Sequence, residues 1–388
     1  MRLLALGLLS LLGLFGDLAA AVRTKVDLVN LTPDIRPGQK ALIAVRFVCD
    51  EHFHIYWKNP GDAGQSPTIE WKDAAGTVPG ALLYPGPKLL DQKGIYNFVH
   101  EYETLLLVEL TIPANATGEL NLQAKVEWLE CDDTGCWPHD KQVEMTVKVG
   151  AGNVPYKYDA KLYPALRPRL STTASSDGKA LTVVLPAGDK LTKTWFPVRG
   201  FVSPTATAKQ KLVGDTIVIE LADATETLDS GDLIFTTRSA DGGFVDIKAV
   251  LGAAPSKPAP TPNTPAKAAG DWQPWSPEAQ AKALADGKIV YVDFTARWCA
   301  NCQVNKRVYT QEDVAKALNQ AGVVMLKADW TKKDAVIANE LGKYGRTGIP
   351  LNVFLKTGQP CKTGMDCGAP VAHVPPAGLS LADAVDVL

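Results

Sequence analysis

The residues best suited to chemistry are Cys299 and Cys302, spaced C-x-x-C at the end of the run Val290-Tyr291-Val292-Asp293-Phe294-Thr295-Ala296-Arg297-Trp298. The run is apolar and β-prone, and the segment Gln303 to Tyr309 beyond the motif is helix-compatible. That order puts Cys299 at a helix N-terminus, where unpaired backbone N–H groups and the helix dipole stabilise a thiolate. Cys302 lies one turn on, on the same face, within reach of a disulfide with Cys299. The chemistry implied is thiol–disulfide exchange, in which Cys299 attacks and Cys302 resolves the mixed disulfide. Asp293 sits inside the same apolar strand, where an acid is costly unless paired or neutral. A C-x-x-C can also be half of a zinc site, but no second Cys or His pair follows at zinc-ligand spacing. It can also be a purely structural disulfide. The strand before it and the helix after it favour the redox reading, with no metal and no cofactor.

The elements that position the motif alternate between α and β. Pro277 to Ala285 reads as a helix and Lys288 to Phe294 as a strand. Helices follow near Val304 and over Gln311 to Ala321, then a strand over Val323 to Asp329. A helix over Lys333 to Tyr344, a strand over Leu351 to Leu355 and a short helix from Ser380 complete the series. Before this lies Ala253 to Gly270, rich in Pro, Ala, Lys and Thr, which reads as an extended linker. Its 18 or so residues could span about 55 Å at about 3.1 Å each, so the domains it joins could meet without a fixed interface.

Earlier in the chain the pattern is β. Over 22–150, alternating segments at Ala41 to Cys49, Thr104 to Ile112, Leu120 to Leu129 and Gln142 to Val149 are separated by Gly/Pro turns, which predicts an antiparallel sandwich. Residues 155–252 read as a second β domain, clearest at Leu181 to Leu185, Thr216 to Leu221 and Asp232 to Thr237. Nothing in it looks catalytic, and it reads as a spacer or docking module.

Of the 388 residues 46% are hydrophobic, enough for two or three cores. The net charge of −2 argues for neither nucleic acid nor an anionic membrane surface as partner. Arg2, the apolar Leu3 to Phe15 and the small residues Ala19-Ala20-Ala21 read as a secretory signal over 1–21, an uncleaved anchor being the alternative. No other run is long enough to span a membrane, so no integral membrane domain is expected. Export to an oxidising compartment turns close cysteines into disulfides: Cys131 with Cys136, Cys299 with Cys302, Cys361 with Cys367. The third reads as a structural loop closure. Cys49 is left over as a buried free thiol. His52 and His54, near Cys49, could suggest copper, but a packed strand is favoured because a metal needs three or four converging ligands.

The stretch around Cys299 resembles the thioredoxin family over about 271–388. The resemblance implies that Asp293 is the buried acid beneath the disulfide, that Trp298 is the aromatic residue before the first cysteine, and that Ile349-Pro350 is the cis-proline loop facing it. Trp298, Ile349 and Pro350 would bind substrate. Lys327 stands where many thioredoxins pair a lysine with the buried acid. Ala300-Asn301 departs from the Gly-Pro of ordinary thioredoxin, which leaves the redox potential open. More narrowly, Trp272-Gln273-Pro274-Trp275-Ser276-Pro277 and Lys327-Ala328-Asp329-Trp330-Thr331 resemble the C-terminal domain of DsbD-type thiol:disulfide interchange proteins. Glu51 to Asp62, Thr68-Ile69-Glu70-Trp71 and Cys131-Asp132-Asp133-Thr134-Gly135-Cys136-Trp137-Pro138 resemble the N-terminal immunoglobulin-like domain of the DsbD and ScsB group. From spacing alone the C-x4-C pair could be only a staple; the resemblance makes Cys131 and Cys136 a second redox pair. In that group a multi-span membrane domain lies between the two thiol domains, and here the linker stands in its place.

The expectation is therefore a periplasmic three-domain thiol:disulfide oxidoreductase, an immunoglobulin-like sandwich and a second β domain followed by a thioredoxin fold. It would act as a protein-disulfide reductase, relaying electrons from a separate membrane donor through Cys299, Cys302, Cys131 and Cys136 to exported protein disulfides. Asp293 would move protons to and from Cys302. The alternatives are an isomerase or oxidase, and a non-catalytic docking or copper-binding module.

Overall fold

The structure, a computed structural model, describes residues 22–177, 179–186, 191–198, 202–221, 232–252, 272–309, 311–356 and 371–373. The expected signal peptide, the linker, Cys361 with Cys367, and the helix from Ser380 lie outside these residues. The chain is multidomain: two β domains precede an α/β thioredoxin fold.

The first β domain is a sandwich of two antiparallel sheets. One orders Thr24–Asn30, Lys40–Cys49, Glu103–Thr111 and Val78–Pro79. The other orders Cys136–Lys148, Glu119–Cys131, His54–Gly61, Ile95–Glu101 and Lys88–Gln92, with Thr68–Asp73 paired to Glu119–Cys131. Val45, Phe47, Ile55, Trp57, Phe98 and Trp128 fill the space between them. A strand covered on one face alternates, whereas one covered on both does not. Glu119–Cys131 shows both regimes: it alternates up to Val126, and Trp128, Leu129, Glu130 and Cys131 are then all buried. His54, Ile55, Tyr56 and Trp57 are likewise buried in succession. At this end of the sheet the outer residues Tyr56, Val99, Leu129 and Cys131 pack into the core of the thioredoxin fold. Strand Cys136–Lys148 begins at the cysteine, well before the expected Gln142. Its first residues, Cys136-Trp137-Pro138 followed by His139-Asp140-Lys141, carry no apolar alternation. Residue-by-residue pairing with the preceding strand holds them extended.

The second β domain is a seven-stranded sheet in the order Leu191–Pro197, Asp232–Ser239, Phe244–Leu251, Leu170–Ser176, Ala180–Val184, Thr216–Glu220 and Lys211–Val213. It has its own core around Leu181, Trp195, Ile217, Phe235 and Ile247. Phe196 and Phe244 instead pack into the core of the sandwich. The Phe196 ring lies 5.3 Å from that of Phe98, edge to face. Asn59 Nδ2 donates to the Pro197 carbonyl at 2.8 Å and Gly86 N to the Leu162 carbonyl at 2.9 Å.

The thioredoxin fold has a five-stranded sheet ordered Gln273–Pro274, Val324–Asp329, Val290–Thr295, Leu351–Lys356 and Val371–His373. The first three strands are parallel and the last two antiparallel. Helices Pro277–Ala285, Ala300–Tyr309, Glu312–Gln320 and Ala335–Lys343 accompany it. The central strand Val290–Thr295 is buried at every position, which is why apolar residues stand on both its faces rather than alternating with polar ones.

The seam between the β domains yields a test. A Cβ on Gly86 would fall 2.0 Å from Phe244 Cδ1, inside the ring. Overpacking of this kind costs about 1–3 kcal/mol. Gly86→Ala should lower the denaturation midpoint, whereas Gly342→Ala, whose Cβ meets nothing within 4 Å, should not. Equal midpoints for the two variants would contradict this packing.

Candidate active site

Cys299 and Cys302 form a disulfide with Cα atoms 5.2 Å apart. The helix Ala300–Tyr309 starts directly after Cys299, whose carbonyl accepts from Gln303 N at 3.3 Å. Cys302 N donates to Cys299 Sγ at 3.1 Å. One of the first backbone donors of the helix therefore points at the sulfur expected to carry negative charge. Trp298 is fixed by its Nε1–H, which donates to the Thr331 carbonyl at 3.2 Å. The Ile349–Pro350 peptide bond is cis.

Asp293 is 1% exposed, in the central strand. Its Oδ2 accepts from Tyr309 Oη at 2.9 Å, and among the described residues Oδ1 has no hydrogen-bond partner. Burial pushes its pKa up to about 6, while the Tyr309 bond and the charges of Lys306 and Lys327 pull it down. The expected partner Lys327 is opposite Asp293 in the strand register but acts only through its charge. The hydrogen-bonding partner is Tyr309, which the sequence reading missed. Tyr309 falls seven residues after Cys302 on the same helix, and that spacing was the available signal.

Cys131 and Cys136 form the second disulfide, with Cα atoms 4.2 Å apart. They are the last cross-strand pair of the hairpin Glu119–Cys131 and Cys136–Lys148. Asp132 closes the tip: its Oδ1 accepts from Thr134 N at 2.7 Å and Gly135 N at 3.0 Å. Tyr56 Oη donates to Cys131 Sγ at 3.1 Å and lies 4.0 Å from Cys136 Sγ. His54 Nε2 is 3.4 Å from that hydroxyl, and burial lowers the His54 pKa to about 4. Burial also raises the Tyr56 hydroxyl well above its ordinary value.

The two pairs meet. Cys136 N donates to the Ile349 carbonyl at 2.8 Å, and Ile349 N donates to the Cys136 carbonyl at 3.3 Å, an antiparallel bridge between domains. Around it, Gly64 N donates to the Trp298 carbonyl at 2.8 Å and Asn301 Nδ2 to the Asp132 carbonyl at 3.2 Å. Arg307 donates to the carbonyls of Lys93 at 2.6 Å and Gly94 at 3.1 Å. All four cysteines are at most 1% exposed and share one apolar cluster with Trp298 and Ile349. The domains thus have a defined interface, although the reach of the linker alone would also allow them to meet without one. The hairpin tip and the loop before Pro350 each offer a backbone N–H and carbonyl, and unpaired groups of this kind pair when buried. The backbone contacts of Gly64, Asn301 and Arg307 leave no pattern in the sequence.

Cys49 is a free, buried thiol. Burial pushes its pKa up to about 11, and it accepts from Thr24 Oγ1 at 3.7 Å. His52 is exposed and His54 buried. Among the described residues no group of three His, Cys, Asp or Glu converges as a metal site would require. No helix there is long and apolar enough to cross a membrane.

Residues 25–148 match the family described as Thiol:disulfide interchange protein DsbD, N-terminal, and residues 271–357 match the family described as Thioredoxin-like. A 76-residue stretch is 34% identical to Thiol:disulfide interchange protein DsbD 2 of Pseudomonas aeruginosa, covering 19% of this chain and 13% of that protein. Among solved structures, the N-terminal periplasmic domain of ScsB from Proteus mirabilis is 16% identical, over 59% of this chain and 92% of that one, with a TM-score of 0.38. The N-terminal domain of DsbD from Neisseria meningitidis, in the reduced form, is 17% identical over 33% of this chain and 86% of that one, with a TM-score of 0.22. One chain thus carries a region matching the DsbD N-terminal family and a region matching the thioredoxin-like family, and these matches support a disulfide redox function.

Proposed function

We propose that the protein is a periplasmic protein-disulfide reductase in which the thioredoxin-like domain passes electrons to the N-terminal domain and thence to exported protein disulfides. The proposed division is a signal peptide at 1–21, domains at 22–150, 155–252 and 271–388, and a linker at 253–270. A separate membrane protein would supply electrons to Cys299 and Cys302. The observation that carries the reading is the reciprocal backbone pairing of Cys136 with Ile349, which supports Cys136 as the sulfur offered to Cys299.

In the first step the Cys299 thiolate attacks Cys136 Sγ. A Cys299–Cys136 bond forms, the Cys131–Cys136 bond breaks, and the electron pair leaves on Cys131. Tyr56 Oη, 3.1 Å from Cys131 Sγ, can donate to that leaving thiolate. Cys302, its proton taken by Asp293, then attacks Cys299 and releases Cys136 as a thiolate. The thioredoxin-like pair ends oxidised and the N-terminal pair reduced. Trp298, Ile349 and Pro350 would hold the incoming strand.

The direct test is Cys302→Ser, which blocks the second attack. The full-length variant, with Cys131–Cys136 oxidised and Cys299 reduced, should accumulate an intramolecular Cys299–Cys136 disulfide, read by non-reducing peptide mapping. Absence of any link from Cys299 to Cys136 or Cys131 would sink the relay.

Asp293 gives a pH signature. Its folded pKa of about 6 lies above the ordinary 3.8. The stability it contributes is therefore present below about pH 4 and lost as pH rises through 6. Asp293→Asn removes this titration. Relative to the parent, the variant should gain roughly 2 kcal/mol between pH 4 and 7. Its exchange rate should lose an inflection near pH 6 and fall at neutral pH. An inflection that persists in the variant would assign the proton transfer to another group.

A further inference from the structure

Trp137 follows Cys136 directly and its side chain lies across the domain boundary. A Cβ on Gly348 would fall 2.4 Å from both Cδ1 and Nε1 of Trp137, and 2.8 Å from the Cys136 carbonyl oxygen. On the hairpin side, a Cβ on Gly135 would be 3.1 Å from Trp137 Cζ2 and Cη2. Phe53 lies beside the indole, ring centroids 6.0 Å apart. The indole therefore occupies a slot walled by two bare Cα atoms, one from each domain. Gly348 does not occupy the left-handed backbone region, so what bars a side chain there is not its own conformation but the indole, together with the Cys136 carbonyl oxygen.

We propose that Gly348 is a specificity-determining residue of the thioredoxin-like domain: with the bridge at Ile349, it admits an extended strand whose attacked cysteine is followed by a flat aromatic ring. This rests on the relay proposed above and names the class of strand the relay accepts. The bridge fixes the cysteine's backbone next to the proline loop. The residue after it then necessarily stands over position 348. A ring can lie flat on a glycine Cα there. A side chain at 348 would have to push the indole against Gly135 and Phe53, which hold it from the other side.

The test uses the full-length Cys302→Ser protein, oxidised at Cys131–Cys136 and reduced at Cys299. Adding Gly348→Ala should slow formation of the Cys299–Cys136 disulfide about tenfold, equivalent to about 1.4 kcal/mol. Its Cys299 should react with a small aromatic disulfide at the parental rate or faster, since that reagent brings no strand and a loosened interface admits it. Trp137→Phe should keep most of the crosslinking rate and Trp137→Ala should not. In the Trp137→Ala background the further loss from Gly348→Ala should shrink by about threefold or more, the coupling expected of two groups in contact. Unchanged crosslinking in Gly348→Ala, or equal slowing of the small reagent, would overturn the slot. No crosslink in Cys302→Ser alone would remove the relay and the slot together. A crosslink there that Gly348→Ala leaves unaltered would remove the slot alone.

Discussion

Two backbone hydrogen bonds, between Cys136 and Ile349, set the geometry on which the site depends. Each is worth about 0.5–1.5 kcal/mol net, so their weight lies in direction rather than strength. An antiparallel pair fixes register, and a slip of one residue would turn the Cys136 side chain to the opposite face. The rest of the interface is arranged around that register. Tyr56, Val99 and Leu129 on the outer face of the sandwich join Trp298 and Leu351 of the other domain in one apolar cluster. Gly64, Asn301 and Arg307 hold the rim through backbone carbonyls and amides, contacts that ask little of side-chain identity on the opposite domain.

The electrostatics around this centre have a common direction. Burial favours the neutral form of each titrating group beside the sulfurs: His54 is lowered to about 4, Asp293 is raised to about 6, and Tyr56 is raised. In a medium of low dielectric a charge is felt strongly by its neighbours. With His54 neutral and Tyr56 protonated, the charge that forms there during exchange is a thiolate. The groups able to answer it are already in place: the Cys302 N–H at Cys299 Sγ and the Tyr56 hydroxyl at Cys131 Sγ.

Much of this was legible in the chain, and the part that was not has a physical explanation. Helix Pro277–Ala285 was readable because a serine cap and a first-turn proline mark its start. The wholly buried strand Val290–Thr295 was readable as an apolar run interrupted by Asp293. Asp293 stood out as the acid within it, but its partner was misassigned. Lys327 has the right charge and the right register, whereas Tyr309 reaches the carboxylate from the helix face. The early start of strand Cys136–Lys148 was hidden because cross-strand pairing, which has no periodic signature, holds Trp137 to Lys141. The domain interface was hidden for a related reason: each of its hydrogen bonds uses a main-chain group on at least one side, which every sequence possesses. A buried, apolar end on the strand bearing Cys131 was the one trace, since a sheet face open to water would have stayed alternating.

With all four cysteines at most 1% exposed, both disulfides are covered while the two domains are joined. The arrangement excludes stray thiols and oxidants, which have no path to the sulfurs while the clasp is shut. It equally excludes any third protein. Under the proposed relay, traffic with the outside is therefore metered by opening, and each additional 1.4 kcal/mol or so in the clasp would slow that opening about tenfold. A contact made of a few main-chain bonds and one apolar patch is suited to such a latch, because it aligns the sulfurs closely and still lets go.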